Sequence, residues 1–359
     1  MSEMKKILIG IGGLGSEFPV SLSSGRYVFE NFPVDQFEPI ILLMLPDGRM
    51  GLMRDLNLVK GEGNLLNLAE NWEKSLPSIY EVGQWHEMLK NSSIKPDLIH
   101  GALLMIHGRG GEDGLLPSFF ELQNIPYAGF DSKASQICFD KHLCKLIWRD
   151  RGWLIADFCL AYEKQGIIGR SEFEELYPLS RGWCVKPSRE GSSVGVSMVF
   201  DERELSHALE NGYVYDTKLV IEPMLKNFRE LEVAVIEING KWCSSSVGEI
   251  YNNPSEYYDF ESKYGANSTK TGLARLSDNM AMKIKELALD VVQSIEGRGF
   301  ARVDFFLSDK QDVYINEVNS LPGFTGISMF PWLWQQDGLC SSQLISNLIE
   351  GIRPNGQRN

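Results

Sequence analysis

The sequence predicts an α/β and α+β protein, with a doubly wound α/β domain first and mixed helices and antiparallel strands after it. Three observations carry this. At 359 residues the chain exceeds what one hydrophobic core usually serves. Apolar strand-like runs alternate with helical segments up to about Gly129, the pattern of a parallel sheet with crossover helices. Beyond Glu230 the alternation becomes hairpin-like, with Asn239-Gly240 set between two alternating runs as a type I′ turn would be.

Taken in order, Lys5 to Ile11 reads as a buried strand followed by a glycine-rich turn. Gly10-Ile11-Gly12-Gly13-Leu14-Gly15 matches the dinucleotide fingerprint G-x-G-x-x-G. That fingerprint needs its third glycine inside an opening helix, whereas Ser16-Glu17-Phe18-Pro19 interrupts one, so the segment reads as a tight strand-to-helix turn with the helix beginning near Ser21. Phe37 to Leu45 and Leu98 to Ile106 are further strands, separated by a polar stretch, Arg54 to Ser93, with a helix around Ile79 to Leu89. Asp131 to Asp150 is expected to be one helix stopped at Gly152. Strands follow near Asp157 to Tyr162, Gly182 to Lys186 and Val194 to Phe200, then a helix at Glu202 to Tyr213 and a strand at Lys218 to Leu225. Glu230 to Ile238 and Lys241 to Ile250 form the Asn-Gly hairpin, and Asn252 to Thr271 is an aperiodic loop of the length that usually serves function. Ser277 to Gly297 is an amphipathic helix with a serine N-cap and a glycine stop.

Lys and Arg number 35 against 48 acids, a formal charge of -13, which argues against a nucleic-acid or anionic-membrane surface. A small anionic ligand needs only a few focused cations. The six cysteines form no C-x-x-C pair, against a structural zinc or redox dithiol. The start of the chain lacks a signal-peptide pattern and no long apolar run occurs, so a cytoplasmic protein without membrane partners is expected.

The strongest chemical signal is FARVDFFLSDKQDVYINEVNSLPG, Phe300 to Gly323. Two alternating strands flank a turn near Lys310 and Gln311. If they pair there, Asp304 faces Glu317 and Arg302 faces Asn319 on one side, with Val303, Phe305 and Val318 on the other. Two carboxylates and an amide oxygen suit a hard divalent cation completed by substrate phosphates. Arg302 beside them suits an anion bridging to that cation. The alternative is a solvated polar face on an edge hairpin. A second signal, VKPSREGSSVG from Val185 to Gly195, delivers Lys186 on a strand and then small residues whose N–H groups can cradle phosphates. It is not a Walker A loop. A third, Glu222-Pro223-Met224-Leu225 leading to Glu230, offers the Glu222 or Pro223 oxygens and the Leu225 N–H to an adenine edge, or is a plain strand.

These stretches together resemble one family, the D-alanine–D-alanine ligases of the ATP-grasp fold. The likeness rests on GGLGSEFPVSL (Gly12 to Leu22), HGRGGEDG (His107 to Gly114), IPYAG (Ile125 to Gly129) and VKPSREGSSVG. YDFESKY (Tyr258 to Tyr264), ARVDFFL (Ala301 to Leu307) and NEVNSLPGFT (Asn316 to Thr325) complete it. The resemblance implies an N-terminal domain over 1–129 and two ATP-grasp subdomains over 130–223 and 224–359, with a lid loop at 252–271. It implies ATP as co-substrate, contacted by Lys141, Lys186, Ser193 and Lys263 at the phosphates and by Glu222, Pro223, Leu225 and Glu230 at adenine and ribose. Asp304, Glu317 and Asn319 would bind two Mg²⁺ ions, or Mn²⁺. Glu17, Val20 and Ser21 would receive the first D-alanine, His107 and Ser328 the second, while Arg302 and the Gly323 N–H stabilise the oxyanion. Glu17, Ser192 and Tyr264 would form a hydrogen-bonded set, and the protein would be a homodimer making the dipeptide for peptidoglycan. A ligase using D-serine or D-lactate as second substrate, or a non-catalytic ATP-binding relative, are the alternatives. Pro19, Pro223 and Thr271 to Ala274 depart from the family's usual residues, but none removes a proposed metal ligand.

Overall fold

The computed structural model describes residues 4–53, 78–94, 98–225, 227–238, 240–251 and 270–352. The first sheet is built on β1 (Lys5–Gly12), buried at every position after Lys5. β2 (Phe37–Met44), β3 (Met50–Met53), β4 (Ile99–Leu104) and β5 (Tyr127–Ala128) complete it, in the order β3-β2-β1-β4-β5. β1 runs parallel to β2 and β4, and β5 continues the parallel set, which explains the near-continuous apolar runs. β3 is an antiparallel edge that the sequence reading did not separate from its neighbours.

The helix after β1, α1 (Phe18–Glu30), begins earlier than Ser21. Glu17 is its N-cap position and Pro19 lies in its first turn, where a missing N–H costs nothing. The helix expected over 79–89 is also corrected: Tyr80 pairs with Met50 in an isolated bridge, and α2 (Trp85–Asn91) follows one 3₁₀ turn. After α3 (Leu115–Leu122), the single helix expected from Asp131 to Asp150 is two, α4 (Ser132–Phe139) and α5 (Lys141–Asp150). Asp140 breaks it with extended backbone and caps α5 by accepting from the N–H groups of His142 and Leu143.

The second sheet comprises β6 (Cys159–Tyr162), β7 (Gly166–Ile168), β8 (Trp183–Pro187), β9 (Ser197–Val199) and β10 (Lys218–Pro223). It is antiparallel throughout in the order β7-β6-β10-β8-β9. The chain also passes through α6 (Arg170–Leu176) and α7 (Glu202–Tyr213), whose buried Leu205 and Ala208 join the core beneath the sheet.

The third sheet carries β11 (Phe228–Ile238), β12 (Lys241–Ser244), β13 (Gly248–Tyr251), β14 (Lys270–Leu273), β15 (Phe300–Ser308) and β16 (Val313–Asn319). Ile238 pairs with Lys241, so the Asn-Gly connection is the expected two-residue one. The single return strand expected to Ile250 is split into β12 and β13. Both pair with β11, but one extra residue between Ser244 and Gly248 shifts the register, and the buried Ser245 accepts from Ala234 N–H at 3.0 Å. α8 (Asp278–Ser294) has the predicted cap, Ser277 accepting from Met280 N–H.

Two terminal helices, α9 (Met329–Gln336) and α10 (Ser341–Glu350), tie the ends of the chain together. Phe330, Leu344, Ile345 and Ile349 belong to the same buried cluster as Ile7, Leu8 and Leu103 of the first sheet. The first and third sheets therefore share a core, and their facing loops are held at fixed separation. The turn that follows β1 depends on Gly12, at φ 95°, where a Cβ would lie 2.0 Å from the Met44 carbonyl oxygen of the neighbouring strand. Gly12→Ala is expected to cost at least about 3 kcal/mol, from strained backbone plus a clash with main chain that cannot yield, read as a lower urea midpoint.

Candidate active site

The hairpin of β15 and β16 places its polar residues as the alternation demanded. Asp304 pairs with Glu317 and Arg302 with Asn319, and a bulge occurs only beyond Asp304. The displaced residue is thus on the far side of the functional pairs, which keep their shared face, while Val303, Phe305 and Val318 are buried on the opposite one. Arg302 makes a two-pronged contact with Asp304, Nε to Oδ1 and a terminal nitrogen to Oδ2, both 2.7 Å. It also lies 3.3 Å from Glu232, and Asn319 Nδ2 donates to Asp304 at 3.0 Å. Burial works against the charge on Arg302, but Asp304 and Glu232 outweigh it and hold the guanidinium firmly protonated. Glu232 was not singled out from the sequence. Its signal was there, since it sits two residues from Glu230 on the same strand face and opposite Asp304.

Asp304 and Glu317 line a cavity of about 170 Å³ together with Lys141, Lys186, Ser192, Ser193 and Glu230. Asp304 and Glu317 bring carboxylate oxygens to the cavity, the donors a hard cation sharing phosphate ligands takes. In this structure Arg302 contacts both Asp304 oxygens and Asn319 Nδ2 one of them. Lys141 at the start of α5 lies 3.8 Å from Glu317 and donates to the carbonyl of Glu190. Lys186 leaves β8 into the cavity, where its ammonium is 2.7 Å from Glu222.

Glu222 has partners that the sequence reading did not foresee. Its carboxylate is buried between two ammonium groups, Lys145 at 2.7 Å on one oxygen and Lys186 at 2.7 Å on the other. Burial pushes Glu222 up, yet the two lysines overcome it and hold the carboxyl down at about 2. Lys186 is raised by the same pairing, whereas burial dominates at Lys145 and lowers it. The side chain meets both lysines and the main chain pairs with β8, beside half-buried Pro223 and Leu225. Lys145 escaped the sequence reading although it lies one turn after Lys141 on the same helix.

The substrate end is built by three loops. Glu17, buried, accepts from Ser192 Oγ, while its other oxygen, Oε2, has no hydrogen-bond partner among the described residues. Gly108 and Gly191 flank it: a Cβ on either would come within 2.3 Å and 3.0 Å of that oxygen. Ser192 and Ser193 both adopt left-handed backbone, φ 49° and 60°, an unfavourable state for residues with a side chain. Val20 is half-buried on α1. Ser21 is fully buried and engaged in the scaffold, accepting from Gly12 N–H and donating to the Met105 carbonyl. His107 is likewise engaged, between Ser24 Oγ at 2.8 Å on Nε2 and the Leu321 carbonyl at 2.8 Å on Nδ1. Burial drives its pKa down despite Glu17 nearby, so the ring is neutral, with Nδ1–H donating to Leu321. Ser24 in turn accepts from Phe324 N–H at 3.1 Å. This relay fixes the turn that presents the Gly323 N–H, and Ser24 was not foreseen. Ser328, N-cap of α9, accepts from Thr325 N–H at 3.0 Å and lies against Gly323. Lys263 and Tyr264 lie outside the described residues.

Comparison with known proteins agrees with this arrangement. Residues 6–130 match the family model described as D-ala D-ala ligase N-terminus, and residues 160–350 the one described as D-ala D-ala ligase C-terminus. The chain belongs to the D-alanine–D-alanine ligase family. It is 32% identical to the D-alanine–D-alanine ligase of Acetivibrio thermocellus, over 98% of this chain and 96% of that one. The solved D-alanine–D-alanine ligase of Coxiella burnetii superposes with a TM-score of 0.79 at 26% identity, covering 97% of this chain and 94% of that one. The Bacillus anthracis D-alanine–D-alanine ligase complexed with ATP does so with 0.73 at 26% identity, covering 98% and 97%. The fold is therefore the ATP-grasp fold of D-alanine–D-alanine ligases, and the family is ATP-dependent.

Within this family member the Lys145–Glu222–Lys186 group makes a pH prediction. Because Glu222 is held near 2 against an ordinary value of 4.5, its contribution is complete above pH 4.5 and lost as pH falls toward 2. Glu222→Gln is expected to destabilise by about 3 kcal/mol at pH 7, leaving buried lysines short of a partner. In urea titrations at several pH values the gap between the two proteins should narrow from pH 5 downward.

Proposed function

We propose that this chain joins two D-alanine molecules at the expense of ATP, through an acyl phosphate, to provide the dipeptide used in peptidoglycan precursor synthesis. The observation that supports this most is Glu17, whose buried Oε2 is unpartnered while its other oxygen is tied to the serine loop bordering the phosphate cavity. A carboxylate so placed calls for a cation, and the ammonium of an amino acid supplies one while its own carboxylate points toward the cavity.

In this reading Lys141, Lys186 and Lys263 face the ATP phosphates, with Ser193 in the loop above. Glu222 and Pro223 offer oxygens and Leu225 its N–H to adenine, and Glu230 takes the ribose. Asp304, Glu317 and Asn319 would hold Mg²⁺, two ions or their Mn²⁺ equivalents. When bound, such ions offset the charge gathered on the phosphates during transfer.

The carboxylate of the first D-alanine attacks the γ-phosphorus, forming a C–O–P link as ADP departs with the bonding pair. The neutral amine of the second D-alanine then attacks the acyl carbon, and inorganic phosphate leaves as the peptide bond forms. Between these events a negative charge develops on the carbonyl oxygen. Arg302, held protonated and aimed by Asp304 and Glu232, and the Gly323 N–H, fixed by the His107–Ser24–Phe324 relay, are suited to receive it. Ser328 beside Gly323 is placed for the second substrate's carboxylate. Tyr264 would join Ser192 and Glu17. Cytoplasmic location and a homodimer are part of the same proposal.

With ATP, Mg²⁺ and D-alanine alone, the purified protein should release phosphate and D-alanyl-D-alanine, identified by mass spectrometry. Turnover only when D-serine or D-lactate is added would replace D-alanine as second substrate, and no turnover with any pair would sink the reading. Arg302→Met should lower kcat by about 10²-fold or more, the usual effect of deleting an oxyanion donor, measured at saturating substrates.

A further inference from the structure

We propose that Arg109 is a positioning residue that holds the serine loop, 188–195, closed against the first-substrate turn by gripping Glu190 and the main chain at Tyr215. Its effect on turnover rests on the function proposed above; its effect on the loop does not.

Arg109 stands in the turn after β4, and its own backbone is fixed there. Its carbonyl accepts from Leu14 N–H at 3.0 Å, and Gly15 packs against its Cβ. From that anchor the guanidinium crosses to the second sheet. Nε lies 2.7 Å from Glu190 Oε1, and a terminal nitrogen donates to the Tyr215 carbonyl. These contacts meet the loop at both ends. Glu190 opens it, while the Tyr215 ring packs on Gly195, where a Cβ would come within 2.8 Å. A planar guanidinium can serve a carboxylate and a carbonyl at once, which a single ammonium cannot do in the same geometry.

The loop has need of such a grip. Ser192 and Ser193 hold left-handed backbone, which an unrestrained chain would leave. The other bond joining the loop to the first-substrate turn is the Ser192–Glu17 contact, between the residues proposed to meet substrate. Glu190 is also nearly buried, 9% exposed at its side chain, and its charge is disfavoured by burial and by Glu17. Arg109 offsets that charge at the mouth of a cavity proposed to take phosphates. Its loss would both loosen the loop and leave a carboxylate facing other anions.

The test is Arg109→Ala, read in two independent ways. Trypsin cleavage after Arg189, followed by mass spectrometry of the fragment ending there, should be faster by about fivefold, the upper end for a part-exposed ion pair. KM for D-alanine and ATP should rise by a similar factor with kcat within about twofold of the parent. Arg109→Lys, which keeps the Glu190 pair but not the bridge, should recover part of both effects. Unchanged cleavage and unchanged KM would overturn the proposal and reduce Arg109 to a surface ion pair. Faster cleavage in a protein that makes no dipeptide would uphold the loop role while the catalytic reading failed. Should Arg109→Ala not fold, Glu190→Gln removes the same ion pair at nearly constant volume. Parent-like cleavage and KM in that variant would equally overturn the idea.

Discussion

The constraint on which this structure depends is that its working charges lie out of water, and buried charge must be paired. Arg302 with Asp304 and Glu232, Glu222 with Lys145 and Lys186, and Asp140 with Lys218 and Ser188 are each groups of opposite charge or donor and acceptor brought together. A lone buried ion would shift its pKa until it neutralised, and the site would lose the charges its chemistry uses. The pairs oppose that shift: they prevail at Lys186 and Arg302, while at Lys145 burial still lowers the ammonium. Asp140 shows the same logic at a helix end: burial pushes it up, while Lys218 and Ser188 bring it below the ordinary range. That carboxylate also caps α5, the helix that carries Lys141 and Lys145, so one charge both starts the helix and aims its lysines.

This pairing explains why three loops from different sheets meet at Glu17. Most carboxylates of the site are satisfied from within their own sheet or a neighbouring helix, but Glu17 takes a hydroxyl from Ser192 of the second sheet's loop. Its remaining oxygen is enclosed by Gly108 and Gly191, which lack side chains where one would strike it. The glycines thus make room for the carboxylate. The shared core of the first sheet with α9 and α10 keeps these loops in register, because the turn at Gly323 hangs between that core and His107.

Much of this was legible in the sequence, and the reasons differ by element. The β15–β16 hairpin could be read because strand periodicity is two and the turn is short, so face and partner follow from counting. The bulge that could have spoiled the count falls after Asp304, outside the functional pairs. Helices with a clear cap, α7 and α8, were found at nearly their true bounds. The expected helix over 131–150 failed because Asp140 scored as one more polar residue within a periodic run, whereas its pairing with Lys218 and Ser188 makes it a break. The lysine partners of Glu222 were missed for a similar reason. Nothing local shows that a strand residue faces lysines delivered by α5 and β8, since that depends on how the second sheet orders its strands.

Ser21 and His107 carry the same lesson in the other direction. Both sit in motifs that invite a substrate role, and both also hold the frame: Ser21 joins the ends of β1 and β4, and His107 joins α1 to the Leu321 carbonyl. A neutral imidazole accepts on one nitrogen and donates on the other, so His107 can transmit position but offers no charge to a substrate. Its neutrality is what the frame requires, since a charged ring would have to donate to Ser24, whose hydroxyl would then lose its acceptor. Ser24 accepts from Phe324 N–H with its own proton directed at the imidazole, and the direction of every bond in the relay is thereby set. The orientation of the Gly323 turn is therefore fixed by groups that need never touch the reactants. In this protein the residues nearest the chemistry are aimed by a layer of ordinary polar satisfaction behind them.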